Sequence, residues 1–358
     1  MNISELTTFI TQSINMVLGA SMQGETSYTN SFSIQIRQDG FLFIPRMPAS
    51  YKIDNELYQS LYTIANASLY PEYTLLKQPS AYFVPLNTRD IHVERALFFP
   101  WQKGIPERLV IRDLDEFACQ INHNTIPVMT NLNINWDKVT SMAIAGNSGS
   151  GKSYALVYFL TMLNEFSDLI IVDPKFDTPS RWAKQHGISV IYPQNNRSKS
   201  DFVSRVNEEL SNCLKLIYER QSQLFDDPDY KFKHYTFVID EVLSLSEGVN
   251  RAIRDSFISL ISQIALLGRA THVHLVLVSQ RFDYKTIPVS VREQLNVLIQ
   301  VGNITKSSTK FLFDGLDPQG IVIPTGKGTG LIQVIDSEHP YQVMPLLCPT
   351  YYTKRGIL

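Results

Sequence analysis

The stretch Gly146-Asn147-Ser148-Gly149-Ser150-Gly151-Lys152-Ser153 constrains this chain more than any other. It has the GxxxxGK[ST] spacing of a phosphate-binding loop. An apolar run, Met142–Ala145, leads into it, and a helix-like run, Tyr154–Phe166, follows it. Strand, loop and helix in that order is the context the pattern needs. Glycines let the backbone curl so that its N–H groups point at phosphate oxygens. The helix start adds the positive end of its dipole. In such a loop Lys152 reaches the β- and γ-phosphates of a nucleotide, and the Ser153 hydroxyl ligates Mg²⁺.

At 358 residues the chain has room for two domains. Its net charge of −2 argues against binding nucleic acid by bulk basicity, so any such contact must be local. Cys119, Cys213 and Cys348 are far apart and form no CxxC pair, which predicts reduced, structural thiols in a cytoplasmic protein. No run approaches the ~18 apolar residues of a membrane span. The N-terminus lacks the basic region of a signal peptide. It reads instead as an amphipathic helix, with Leu6, Phe9, Ile10, Ile14 and Val17 on one face for packing on a core or partner.

Residues 1–130 read as a small α+β module with no catalytic constellation. Phe32, Ile34 and Ile36 alternate, Asp39-Gly40 makes a turn, and Phe41–Ile44 runs back as a hairpin. Asn55–Leu69 is a predicted helix capped by Asp54. Short apolar runs at Tyr82–Val84, Ala96–Phe99 and Leu109–Ile111 are separated by prolines. The module's aromatics are expected in its core. An Asn-rich, uncharged stretch, Gln120–Trp136, joins it to the rest, which places the boundary near 130 and a second domain over 131–358.

From Ser141 onward strand and helix alternate, which implies an α/β fold with a mostly parallel sheet. Expected strands are Met142–Ala145, Leu169–Val172, Ser189–Ile191, Thr236–Ile239, His274–Val278 and Val297–Val301, with an edge strand around Gly330–Val334. Expected helices are Lys152–Phe166, Phe202–Leu224, Arg251–Leu267 and Thr305–Phe313.

Thr236–Ile239 ends in Asp240-Glu241. At a strand end beside the loop, Asp240 can hold Mg²⁺ and Glu241 can act as general base on the attacking water. His274–Val278 ends in Ser279-Gln280-Arg281. Gln280 would lie by the γ-phosphate if this strand neighbours that of Asp240; a polar residue opening a loop is the alternative. Arg269 suits an arginine finger reaching a neighbouring subunit's nucleotide. On pattern alone a surface salt bridge fits Arg269 equally. A further strand, Leu169–Val172, ends in Asp173-Pro174-Lys175, which general phosphate-loop chemistry does not require.

Four features in order, AGNSGSGKS, VDPK, VIDE and GRATHVHLVLVSQR, resemble the HerA–FtsK superfamily, and most of all the FtsK/SpoIIIE motors. The helix ending Ile217-Tyr218-Glu219-Arg220 resembles the family's helix before the acidic strand. The resemblance covers about residues 125–345. It implies a RecA-like core and hexameric rings that hydrolyse ATP and pump double-stranded DNA. It gives Lys152 and Ser153 the phosphate and Mg²⁺, Asp240 and Glu241 the Walker B roles, Gln280 the sensor role and Arg269 the finger role.

The chain departs from the segregation translocases in having no membrane span, no room for a winged helix after Leu358, and Phe282 where Pro is usual. The expectation is therefore a short motor of a plasmid or integrative element. A relaxase or a membrane transfer protein would be a further partner and the route to any membrane association. Residues 269–310 carry six Lys/Arg against two acids. Arg281 and Lys285, in the loop after a catalytic strand, are the candidate DNA phosphate contacts, with a solvated face as the alternative. Two other functions compete: a recruitment ATPase that docks a nucleoprotein onto a secretion channel, and a HerA-like or packaging ATPase.

Overall fold

A computed structural model describes residues 2–21, 31–49, 51–121, 124–282, 287–336 and 342–352. Two compact units divide the chain. One holds residues 1–106, 315–323 and 341–345; the other holds 107–314, 324–340 and 346–358.

The first unit runs α1 (Ile3–Ser21), β1 (Phe32–Ile36), β2 (Gly40–Pro45), α2 (Asn55–Leu69), β3 (Tyr73–Leu75), β4 (Phe83–Pro85) and β5 (Arg95–Lys103). Its strands are all antiparallel, in the order β1-β2-β5-β3 with β4 also on β5. The Asp39-Gly40 turn is closed by Arg37 N–H donating to the Gly40 carbonyl at 2.8 Å. Asp54 caps α2 by accepting from Leu57 N–H at 3.1 Å, satisfying one of the donors a helix start leaves open. Many of the aromatics form the core, as expected, while Tyr70, Tyr82 and Phe83 are exposed. Phe41 stacks on Phe99, and Tyr58 stacks on Phe99 from the helix side, at 4.8 and 4.4 Å. The face of α1 differs in one place from the expectation. Leu6, Ile10, Ile14 and Leu18 are buried, while Phe9 is 38% exposed. The i, i+4 row dominates, and Phe9 falls off it. The Val17 side chain lies outside the described residues.

The second unit begins with β6 (Val110–Ile111), α3 (Leu114–Cys119), β7 (Thr125–Met129), β8 (Leu132–Asn135), β9 (Ser141–Gly146), α4 (Lys152–Asn164), β10 (Ser167–Val172), α5 (Thr178–His186), β11 (Val190–Ile191) and α6 (Lys199–Asp226). It continues through β12 (His234–Ile239), α7 (Val242–Ser246), α8 (Arg251–Leu267), β13 (Val273–Ser279), α9 (Val289–Arg292), β14 (Val297–Val301), α10 (Lys306–Thr309) and β15 (Thr329–Val334). The strand β16 (Val343–Leu347) has residues in both units, and β17 (Thr350–Tyr351) ends the second.

The sheet order is β11-β10-β12-β13-β9-β14-β15-β16. Strands β11 through β14 are parallel, and β15 runs antiparallel to β14. The fold is thus α/β with a mostly parallel sheet. Its central strands are buried along their whole length, as a sheet covered on both faces requires.

Several expectations need adjustment. The Asn-rich stretch is a hairpin, β7–β8, and not a linker. The Tyr158 hydroxyl of α4 donates to the Pro127 carbonyl, so the hairpin packs with the second unit, and the units divide at 106/107. The Asp240 strand does not adjoin the loop strand, because β13 stands between them. The helix expected over 305–313 is the single turn α10: Thr305 and Ser308 form a capping box, and Ser308 also bonds back to the Asn303 carbonyl. Such local side-chain bonds compete with helix continuation. Helix α5 carries no apolar stripe long enough to be read from sequence.

Candidate nucleotide-binding and hydrolysis site

Parallel strands place their carboxyl ends on one edge, and ligands of such sheets bind there. Strands β9, β12 and β13 deliver Gly146–Ser153, Asp240-Glu241 and Ser279-Gln280 to that edge. The loop turns into α4 through Gly151, at φ +97°, which glycine adopts without the Cβ penalty. No side chain caps α4, so its first N–H groups remain available to an anion. Asn147, Ser148, Gly149, Gly151, Lys152 and Ser153 line a cavity of about 760 Å³, together with Asp240 and Gln280.

Glu241 is the hub of the site. Its Oε2 lies 2.6 Å from Lys175 Nζ and 3.7 Å from Lys152 Nζ. Its Oε1 accepts from Ser279 Oγ and from Gln280 N–H, each at 3.4 Å. Burial alone would push this carboxyl up; the hydrogen bond from Lys175 and the charge of Lys152 outweigh it and hold it below the ordinary range. The residue sits at φ +60°, a left-handed conformation that costs a non-glycine residue about 1 kcal/mol. Burial pushes the Lys152 ammonium down, against the attraction of Glu241 and Asp240.

Asp240 is in the opposite condition. It is 5% exposed and lines the cavity, and its carboxylate makes no hydrogen bond among the described residues. Burial, followed by the neighbouring Asp173 charge, raises its pKa to about 6. A buried carboxylate without a donor is a costly arrangement that a cation would relieve.

Asp173 explains the Asp-Pro-Lys signal. It is fully buried. Its Oδ1 accepts from Lys175 N–H at 3.0 Å. Its Oδ2 accepts from Asp177 N–H, Ser180 N–H and Ser180 Oγ at 2.9, 3.2 and 2.6 Å. One carboxylate therefore folds the turn after β10, caps α5 and presents Lys175 to Glu241.

Two groups in the wall had no motif to announce them. The Arg108 guanidinium donates to the Lys327 carbonyl at 2.9 Å and to Thr350 Oγ1 at 3.3 Å. Tyr154 stacks on Tyr351 at 4.0 Å, with its hydroxyl donating to the Tyr351 carbonyl and accepting from Tyr351 N–H, both at 2.7 Å. Strand β17 pairs with β6, which brings these distant segments to the start of α4. Gly302 presses on the loop: a Cβ there would stand 2.6 Å from the Ser150 Cβ.

The other expected residues divide. Gln280 lines the cavity, and its strand does neighbour that of Asp240. Arg269 does not line it. It precedes β13, at the opposite edge of the sheet, and lines a separate hollow of about 510 Å³ with Lys138, Glu293, Asn296 and Asp336. Arg281 follows Gln280 but is not part of the cavity wall. Lys285 lies outside the described residues.

No model of a known protein family matches the chain. The FtsK domain-containing protein YdcQ of Bacillus subtilis is 23% identical over 208 residues, 54% of this chain. The chain spans 41% of that protein's length. Among solved structures, the pCW3 conjugation coupling protein TcpA, in a monomer form with ATPγS, superposes with a TM-score of 0.53 at 17% identity. The match covers 96% of this chain and 95% of that one. The cytoplasmic domain of the Type VII secretion ATPase EccC of Thermomonospora curvata reaches a TM-score of 0.49 at 18% identity, over 64% of this chain and 29% of that one. The fold is thus that of a P-loop ATPase, and over 208 residues the chain is similar to an FtsK domain-containing protein.

Proposed function

We propose that this protein is an ATP-hydrolysing motor that moves double-stranded DNA, working as a hexameric ring in the transfer or maintenance of a mobile element. The observation that carries the reading is that Lys152, Asp240 and Gln280 line one cavity at the carboxyl edge of the sheet, with Glu241 behind them, 3.7 Å from Lys152 Nζ and accepting from Gln280 N–H. In it, the loop backbone and Lys152 bind the phosphates of ATP, and phosphate oxygens compete with Glu241 for the Lys152 ammonium. Ser153 and Asp240 hold Mg²⁺, and the buried, undonated Asp240 carboxylate fits that role. The ion supplies charge neutralisation at the phosphates. Glu241, kept ionised by Lys175, takes the proton of the attacking water. Gln280 senses the γ-phosphate.

Arg269 acts on a neighbouring subunit, consistent with its distance from its own chain's site. Arg281 and Lys285 contact DNA phosphate without reading sequence. The protein works in the cytoplasm and meets a membrane through a relaxase or transfer-channel protein. The likeness to a coupling protein along 96% of the chain supports the transfer setting.

A triplex-displacement assay on linear duplex DNA tests the motor reading. The wild type displaces the third strand with ATP, and Glu241→Gln binds ATP but displaces nothing. ATP binding with no displacement by the wild type would favour the competing reading, a recruitment ATPase that docks a nucleoprotein on a channel.

A further inference from the structure

The chain has seven histidines, and three of them, His234, His272 and His274, meet where β12 and β13 begin. The register causes this. Tyr235 pairs with Val273 and Thr236 with His274, so His234 stands beside His272. Their rings stack with centroids 4.6 Å apart and planes 9° from parallel. Asp137, in the turn leading to β9, closes the group with Oδ1 3.0 Å from His234 Nε2. One ligand atom from each of Asp137, His234 and His272 lies within 4.8 Å of the other two.

The far nitrogens of His272 and His234 are committed, whereas His274 Nδ1 is buried without a hydrogen-bond partner among the described residues. His272 Nδ1 is 3.2 Å from the Phe232 carbonyl oxygen. A carbonyl only accepts, so Nδ1 carries the hydrogen and Nε2 of the neutral ring keeps its lone pair. His234 Nδ1 lies 2.8 Å from His274 Nε2. Metal-bound imidazoles have the far nitrogen engaged by an outer group; at His234 the near nitrogen, Nε2, is hydrogen-bonded to Asp137 Oδ1, and the ion would take the place of that proton. His272 also has φ +53°, which costs about 1 kcal/mol in a non-glycine residue, so the turn presents this ring against a local cost. Two imidazoles and a carboxylate suit Zn²⁺, with water as a fourth ligand. The Asp137 side chain is 46% exposed, which leaves a path for entry.

We propose that Asp137, His234 and His272 form a divalent transition-metal site of the zinc class, at the sheet edge opposite the phosphate loop. The ion ties the turn before β9 to the first residues of β12 and β13. Those three strands carry Gly146, Asp240-Glu241 and Ser279-Gln280 at their other ends, about 20 Å away at the usual strand rise. The ion is a clamp that sets the spacing of the strands on which the nucleotide site is built.

The test is a Zn²⁺ titration of the untagged, EDTA-treated and dialysed full chain against a chromophoric chelator, with thermal melting alongside. The expected result is one Zn²⁺ per chain, a raised Tm, and visible d–d absorption of a four-coordinate site when Co²⁺ replaces it. Asp137→Asn and His272→Gln should each weaken binding at least tenfold. Neither side chain is fully buried, and circular dichroism of the metal-free variants checks their folding. Lys152→Ala, at the other edge, should bind Zn²⁺ as the wild type does. A wild type that takes up no stoichiometric Zn²⁺, or variants that bind it as tightly as the wild type, would overturn the proposal.

Discussion

Lys175 Nζ lies 2.6 Å from Glu241 Oε2, closer than Lys152 Nζ at 3.7 Å. The residue beyond the Asp-Pro turn is therefore the principal ionic partner of the proposed general base. Lys175 is half exposed whereas Glu241 is buried, so the pair is worth more for the proton affinity of Glu241 than for overall stability. Lys175→Met removes the strongest influence holding the Glu241 carboxyl down. The acidic limb of the ATPase pH–rate profile should move to higher pH, and kcat near pH 7 should fall about tenfold. An unmoved limb would show that Lys175 does not tune Glu241.

Asp240→Asn should stabilise the nucleotide-free protein. The carboxyl rises from 3.8 to about 6 on folding, so the unfolded chain releases its proton first. Stability from this group is full below pH 3.8 and is lost as pH rises through about 6. At pH 7.5 the variant should gain about 1–3 kcal/mol over the wild type, and the gain should vanish near pH 4. Urea denaturation at the two pH values measures this. The same variant should lose Mg²⁺-dependent ATP hydrolysis.

Asp173→Ala should be among the most destabilising single changes in the second unit. It strands three backbone donors and the Ser180 hydroxyl in a buried turn. Buried donors left unsatisfied cost about 1–3 kcal/mol each before relaxation, so a net loss of about 3 kcal/mol is expected. Asp173→Asn keeps acceptor capacity on one oxygen and should lose about half as much. Equal, small losses in both would contradict the anchoring role.

Gly302→Ala should weaken nucleotide binding more than it weakens the fold. The glycine has φ +96°, and an added Cβ would stand 2.6 Å from that of Ser150. The loop must move by several tenths of an ångström, and phosphate recognition by backbone N–H groups is sensitive to displacements of that size. Titration with a fluorescent ATP analogue should show at least a tenfold rise in Kd. Unchanged affinity would mean that the loop does not rest on Gly302.

The candidate site is legible wherever a single segment carries its own chemistry. The loop, Asp240-Glu241 and Gln280 each sit at the end of a buried apolar run, and run and polar end are adjacent in sequence. Asp54 and the Asp39-Gly40 turn were readable for the same reason. What stayed hidden depends on pairing between distant segments. Arg108, Lys327 and Thr350 meet only because β17 pairs with β6. The position of β13 between β12 and β9 cannot be read from strand patterns, because the sheet order is not the sequence order. Lys175 was marked by its motif, but its partner was not. The triad at Asp137, His234 and His272 joins residues 97 and 135 positions apart in the chain, without a metal-ligand spacing to give it away.

In the proposed motor, one site binds ATP and couples its hydrolysis to duplex DNA. ATPase rate with and without linear double-stranded DNA, for the wild type and Lys152→Ala, tests it most directly. DNA should strongly stimulate the wild type, and Lys152→Ala should be about 10²–10³-fold slower under both conditions, as expected for losing a preorganised cation at the phosphates. A wild-type rate indifferent to DNA, or a Lys152→Ala rate equal to the wild type's, would contradict it.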